Sequence, residues 1–189
     1  MTTGALLLAA GRGTRMGGAN KLTALLDGKP VVVHAADAAL VAGLELVVVT
    51  GDRAAEVRAS LAGRDVTFVD APDYTEGLSA SLRAGIAAVP ADWDAVLVLL
   101  GDMPRLQPAT LATLAAAPGI VVPQHNGQSG NPVRWPRRHF PALAALTGDT
   151  GGKALFQHLE IDVLAVDDPG ILADIDTPQA LAAMQRSRP

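Results

Sequence analysis

Residues 8–22 read Leu-Ala-Ala-Gly-Arg-Gly-Thr-Arg-Met-Gly-Gly-Ala-Asn-Lys-Leu, gathering four glycines and three cations directly behind an apolar run. Gly11, Gly13, Gly17 and Gly18 carry no Cβ, so the backbone can approach a ligand closely. Successive amides in such a loop form a concave anion site. Arg12, Arg15 and Lys21 add fixed charge: arginine grips phosphate through two parallel hydrogen bonds, and lysine acts as a point charge. Amides plus cations are what a triphosphate requires. The plainer alternative is a flexible basic connector between a strand and a helix. The segment is not a P-loop, because Lys21 follows Asn20 and precedes Leu22 where a Gly-Lys-Ser/Thr run is needed. It departs from the dinucleotide fingerprint only where Met16 stands in place of the third glycine, so an NAD(P) site stays open.

A second chemical feature is Gly101-Asp102-Met103-Pro104, which follows the apolar run 95–100. A carboxylate at the end of a buried strand faces the ligand crevice, and Mg²⁺ favours one or two carboxylates together with water and phosphate oxygens. Asp102 is the metal candidate; alone, it could equally be a turn-capping aspartate. Gly77 eases a turn into a helix that Ser79 or Ser81 could cap, and a helix start with serine hydroxyls can also hold anions. Asp149 or Thr150 is a candidate cap for the helix that follows. Asp176 or Thr177 is expected to cap the last helix, with Pro178 in its first turn; a second metal ligand from this segment is a weaker candidate. The four histidines show no ligand spacing. His34 and His158 fall in expected helices, and His125 in an expected loop near the site. No Ser–His–Asp arrangement emerges.

The elements that must position these residues alternate. Strands are expected at residues 5–9, 46–50, 66–69, 95–100 and 120–122, and helices at 31–41, 53–61, 78–88 and 108–116. Asn126-Gly127 marks a hairpin turn leading to residues 132–135, and the chain closes with a strand at 161–166 and a helix at 177–184. This pattern predicts a three-layer α/β/α sandwich with a mostly parallel mixed sheet. Ligands sit at the carboxyl ends of such strands, which singles out the loops after Leu8, Thr50, Val69, Leu100 and Val122.

Composition narrows the classes. At 189 residues, one domain spanning 1–189 is expected. Hydrophobic residues make up 49% and aromatics 3%, so the core must be aliphatic. The absence of cysteine excludes disulfides, thiolate metal sites and cysteine nucleophiles. A net charge of −4 gives no basis for nucleic-acid binding. The short apolar start lacks a preceding basic stretch, and no run reaches membrane-spanning length, so a cytoplasmic protein is expected.

The segment from Leu8 to Gly17, followed by Lys21, resembles the opening signature of nucleotidyltransferases with a glycosyltransferase-A-like fold, Leu-Ala-Ala-Gly-x-Gly-x-Arg-Met-Gly and then lysine. It is most similar to the molybdenum cofactor cytidylyltransferases among the MobA-like NTP transferases. The resemblance extends from Leu8 to Thr177 through Gly-Leu-Ser-x-Ser-Leu, Gly-Asp-Met-Pro, Gly-Asn-Pro and Asp-Ile-Asp-Thr-Pro, in that family's order. It departs at Gly152 and Lys153, where alanine and arginine are usual. The resemblance implies that Leu8, Ala9, Ala10, Gly11, Arg12, Gly13, Thr14, Arg15 and Lys21 hold the triphosphate, with Gly77, Ser79 and Ser81 as further nucleotide contacts. It implies catalytic roles for Arg15, Lys21 and Asp102, with Mg²⁺ on Asp102. Asn131, Asp149 and Lys153 would face the acceptor. Ala10 implies CTP over GTP. The implied reaction moves CMP onto a phosphorylated pterin-type acceptor, molybdenum-molybdopterin, and releases pyrophosphate; transient contact with a molybdoenzyme or its chaperone follows. Alternatives are a relative using GTP or a sugar phosphate, an NAD(P)-dependent oxidoreductase, and a non-catalytic nucleotide-binding chaperone.

Overall fold

The computed structural model describes residues 1–11, 13 and 20–186. Its centre is strand β1 (Thr3–Ala9), whose alternation serves two opposite layers. Ala5, Leu7 and Ala9 face one hydrophobic cluster, while Leu6, Leu8 and the following Ala10 face the other. β4 (Leu46–Thr50) and β6 (Ala95–Leu100) divide in the same way, as strands buried on both faces must. On one side lie α1 (Val31–Val41), α2 (Ala54–Ser60) and α4 (Pro108–Ala116). On the other lie α3 (Leu78–Ala88) and the short α5 (Phe140–Ala144).

Adding β5 (Thr67–Asp70), β7 (Val121–His125), β8 (Gln128–Ser129), β9 (Val133–Pro136) and β10 (Asp162–Ala165), the sheet runs β10-β7-β9-β6-β1-β4-β5, with β8 paired to β7. β1 pairs in parallel with both β4 and β6, as do β4 with β5 and β10 with β7. β9 runs antiparallel to β6 and β7. This is the mostly parallel mixed sheet of the expected sandwich. The chain leaves β1 for β4 and β5, then returns to β6 on β1's other side. The gap between the ends of β1 and β6 is thus the switch point where open α/β sheets bind ligands.

The Asn126-Gly127 turn has positive φ at both residues, 49° and 80°, which matches strand twist in a two-residue hairpin. Its return strand is not 132–135 but the two-residue β8. The chain then bends and enters as β9 between β6 and β7. Gly130 sits so close to the Ile171 carbonyl that a Cβ there would collide with it. β7 extends past Val122 because His125 pairs with Gln128. α5 and the hairpin of β2 (Leu25–Leu26) with β3 (Lys29–Pro30) were not anticipated. The last helix, α6 (Pro178–Arg186), packs Leu181 and Met184 on Leu26, Val31 and Ile175. Thr177 Oγ1 accepts from the Ala180 amide at 3.1 Å, the anticipated cap. Arg134 on β9 is 2% exposed. Its guanidinium donates to the Gly119 carbonyl at 2.8 Å and to the Ala115 carbonyl at 3.4 Å, tying α4 and its exit to the sheet. Among the described residues no helix is long and apolar enough to cross a membrane.

Candidate active site

A cavity of about 660 Å³ opens at the carboxyl ends of β1 and β6. Three segments meet at its floor. The Gly101 amide donates to the Leu8 carbonyl at 3.0 Å, which locks the turn after β6 onto β1. A Cβ at Gly101 would come within 3.1 Å of that carbonyl, so the close approach explains the glycine. The Ile175 amide donates to the Asp102 carbonyl at 2.9 Å and brings residues 174–176 alongside. Lys21 is placed by a turn in which Asn20 Oδ1 accepts from the Leu22 amide at 3.0 Å.

The result is a three-residue charge cluster. Lys21 Nζ lies 2.5 Å from Asp102 Oδ2 and 2.8 Å from Asp176 Oδ1. Lys21 and Asp102 are largely buried, with side chains 14% and 15% exposed. Burial opposes the charge on Lys21, but Asp102 and then Asp176 outweigh it and hold the ammonium above the usual lysine range. Lys21 is therefore a fixed cation. Asp102 Oδ1 is buried and has no hydrogen-bond partner. Leaving such an acceptor unsatisfied costs about 1–3 kcal/mol, more when charged, so the oxygen is poised for a ligand. Two adjacent carboxylates with one free oxygen suit a divalent ion that completes its shell with water and substrate phosphate. No cluster of three or more His, Cys, Asp or Glu among the described residues could enclose a metal alone. The donor set thus fits a substrate-shared ion.

Ala10, Gly11, Gly13, Gly77 and Ser81 line the same cavity, and Leu8 borders it. Ala9 points the other way, into the core. Arg12, Thr14 and Arg15 lie outside the described residues. Ser79 does not line the cavity; it is 1% exposed and its Oγ donates to the Gly148 carbonyl at 2.6 Å. Neither serine caps α3. Its first amide, Leu78 N, donates instead to Asp149 Oδ1 at 3.3 Å. Asp149 therefore caps α3 from a distant loop, and the 3-10 turn Gly152–His158 that follows it starts without a side-chain cap.

Asn131, Asp149 and Lys153 line a second cavity of about 380 Å³, whose wall includes Trp135, Val98 and Leu82. The two cavities share Leu8, Leu78, Leu100 and Asp149, so a ligand in one can meet a ligand in the other. Desolvation lowers the Lys153 ammonium below the usual lysine value. His125 stands apart: its Nδ1 is 3.1 Å from the Val166 carbonyl and it lines neither cavity. Sequence reasoning missed the wall formed by Tyr74, Thr75 and Glu76, and gave Asp176 too little weight. The Asp-x-Asp spacing of Asp174 and Asp176 before a helix cap was the available signal.

The MobA-like NTP transferase domain matches residues 5–163. The bifunctional protein GlmU of Halorhodospira halophila is 38% identical over 117 residues, 61% of this chain and 24% of GlmU. The chain thus spans about a quarter of the length of that curated relative. The nicotine blue oxidoreductase of Paenarthrobacter nicotinovorans is 29% identical over 190 residues, covering 93% of each chain. The structure of Rv0371c from Mycobacterium tuberculosis in complex with manganese superposes with a TM-score of 0.85 at 28% identity, covering 100% of both chains. With the matched domain covering the glycine loop and the Asp102 turn and ending within β10, ahead of Asp176, the chain belongs to the MobA-like NTP transferase domain family.

Proposed function

We propose that the protein is a cytidylyltransferase that moves CMP from CTP to a phosphorylated acceptor, molybdenum-molybdopterin, with release of pyrophosphate. The observation that carries this reading is the cluster of Lys21, Asp102 and Asp176 on the cavity floor beside the glycine loop. An oxygen of the acceptor's terminal phosphate attacks the α-phosphorus of CTP. The bond from that phosphorus to the bridging oxygen breaks, and the electron pair leaves with pyrophosphate. No covalent enzyme intermediate is needed, so the chain's work is alignment and charge neutralisation.

The amides at Gly11 and Gly13 cradle the triphosphate. Lys21, with Arg15 from the resemblance, neutralises charge building on pyrophosphate. Asp102 and Asp176 would hold Mg²⁺, which when bound screens phosphate repulsion and polarises phosphate oxygens. The acceptor enters the adjoining cavity, with Asn131 and Lys153 at its wall. Ala10 supports cytidine through the family signature. The manganese complex of Rv0371c supports a divalent ion. The product would pass to a molybdoenzyme or its chaperone.

A second reading, an NAD(P)-dependent oxidoreductase, is favoured by the full-length similarity to nicotine blue oxidoreductase. One comparison separates the two. Pyrophosphate release is measured with Mg²⁺ and each of CTP, GTP, ATP and UTP, with and without molybdenum-loaded molybdopterin; NADPH oxidation is followed in parallel with the dye nicotine blue. Release with CTP and that acceptor only is the expected result. Release with GTP or with a sugar phosphate would move the reading to another branch of the family. Dye-dependent NADPH oxidation without pyrophosphate release would replace it with the oxidoreductase.

A further inference from the structure

The site already contains a cation. The Lys21 ammonium bonds one oxygen of Asp102 and one of Asp176, the two carboxylates suited to a divalent ion. Ammonium and metal ion compete for the same oxygens. The one ammonium is shared between the two carboxylates, and Asp102 Oδ1 remains buried without a partner. A doubly charged ion would balance both carboxylates and engage the orphaned oxygen. The lysine stem has four flexible carbons, so its head can leave without backbone movement.

We propose that Lys21 is a tethered placeholder: in the nucleotide-free protein its ammonium occupies the divalent-ion position between Asp102 and Asp176, and an arriving ion displaces it into the cavity to become a phosphate ligand. This rests on the reading of the two carboxylates as a metal site and of Lys21 as a phosphate cation. The device couples the ion to the triphosphate. Before the ion binds, Lys21 is held by carboxylates and unavailable to an anion. Afterwards the carboxylates are neutralised and the cavity gains a mobile positive charge. It also keeps Asp102 from facing an incoming polyanion uncovered.

The wild-type protein allows a direct test, because it has only three lysines, Lys21, Lys29 and Lys153. Acetylation of each is followed by mass spectrometry in EDTA and in saturating Mg²⁺, without nucleotide. Lys21 should react slowly in EDTA and at least about tenfold faster with Mg²⁺, the scale of releasing a charge-assisted pair. Lys29 and Lys153 should change less than about twofold, since neither lines the cavity that holds Asp102 and Asp176. A Lys21 rate that Mg²⁺ leaves unchanged or lowers would overturn the proposal. Calorimetric titration with Mn²⁺ gives the second readout. Lys21→Met should bind Mn²⁺ at least about tenfold more tightly than wild type, because the competing ammonium is gone. Lys21→Arg, which keeps the charge, should stay near wild type, and adding Asp102→Asn to Lys21→Met should abolish binding. Equal or weaker binding by Lys21→Met, or binding that survives Asp102→Asn, would overturn it as well. Neither measurement contains CTP, so both hold their meaning if cytidylyl transfer itself is not found.

Discussion

Replacing Gly77 with alanine probes how the loop at 148–149 shapes both cavities. Gly77 has φ 117° and ψ −172°, a region reserved almost wholly for glycine. Holding an L-residue there costs about 1–3 kcal/mol. The added Cβ would also lie 2.6 Å from the carbonyl carbon and oxygen of Gly148 and 2.7 Å from the Asp149 amide. These are backbone atoms and cannot rotate aside. Moving them strains three hydrogen bonds: Ser79 N and Ser79 Oγ to the Gly148 carbonyl, and Leu78 N to Asp149 Oδ1. Losing one or two of them adds about 1–2 kcal/mol. The expected total is about 2–5 kcal/mol, a fall in Tm of roughly 4–20 °C for a domain of this size. Calorimetry measures Tm. Ser79→Ala, which removes one hydroxyl donor and leaves the backbone in place, should cost only about 1 kcal/mol. Gly77→Ala melting within about 1 °C of wild type would refute the packing argument, because neither the backbone conformation nor the collision could then be real.

Two further substitutions test the scaffold. Arg134→Met should lower stability by about 2–4 kcal/mol, read as a shifted urea midpoint, because the Ala115 and Gly119 carbonyls lose a buried charged donor; an unchanged midpoint would show that the guanidinium ties nothing together. On α1, the hydrogen bond from Arg64 holds the Asp37 carboxyl below its ordinary value of 3.8. Its folded value being depressed, Asp37 contributes stability above the ordinary carboxylate range, and that stability is lost as pH falls through the folded value. Asp37→Asn should therefore cost below about 1 kcal/mol at pH 7 for this partly exposed pair, and progressively less as pH falls below the ordinary carboxylate range and through the depressed folded value. A difference undiminished at pH 3 would contradict the linkage.

The helices α1, α3 and α4 and the strands β4 and β6 begin and end where the sequence places them. In each, an apolar run or face is bounded by glycine, proline or a polar turn, so local chemistry decides the ends. β8 and α5 escaped because two and five residues are too few to show a period. The antiparallel entry of β9 was legible as a mixed sheet, but its position between β6 and β7 was not, since it depends on the whole sheet. The site divides along the same line. The glycine loop, Lys21 and Asp102 stand out because their residue types are unusual for their place. The bond from Lys21 to Asp176 spans 155 residues, and Asp149 caps a helix 71 residues earlier. Asp149 and Thr150 looked like local caps because local spacing was the only guide. Only the folded sheet brings those pairs together.

The most direct test of the central claim follows the label from α-³²P CTP into the acceptor, with Mg²⁺, in wild type and Asp102→Asn. The account predicts transfer of labelled CMP to molybdenum-molybdopterin by wild type and a loss of at least about a hundredfold in the variant, the scale of removing a metal-holding group from a phosphoryl-transfer site. No label in the acceptor with wild type, or transfer by Asp102→Asn at near the wild-type rate, would contradict it.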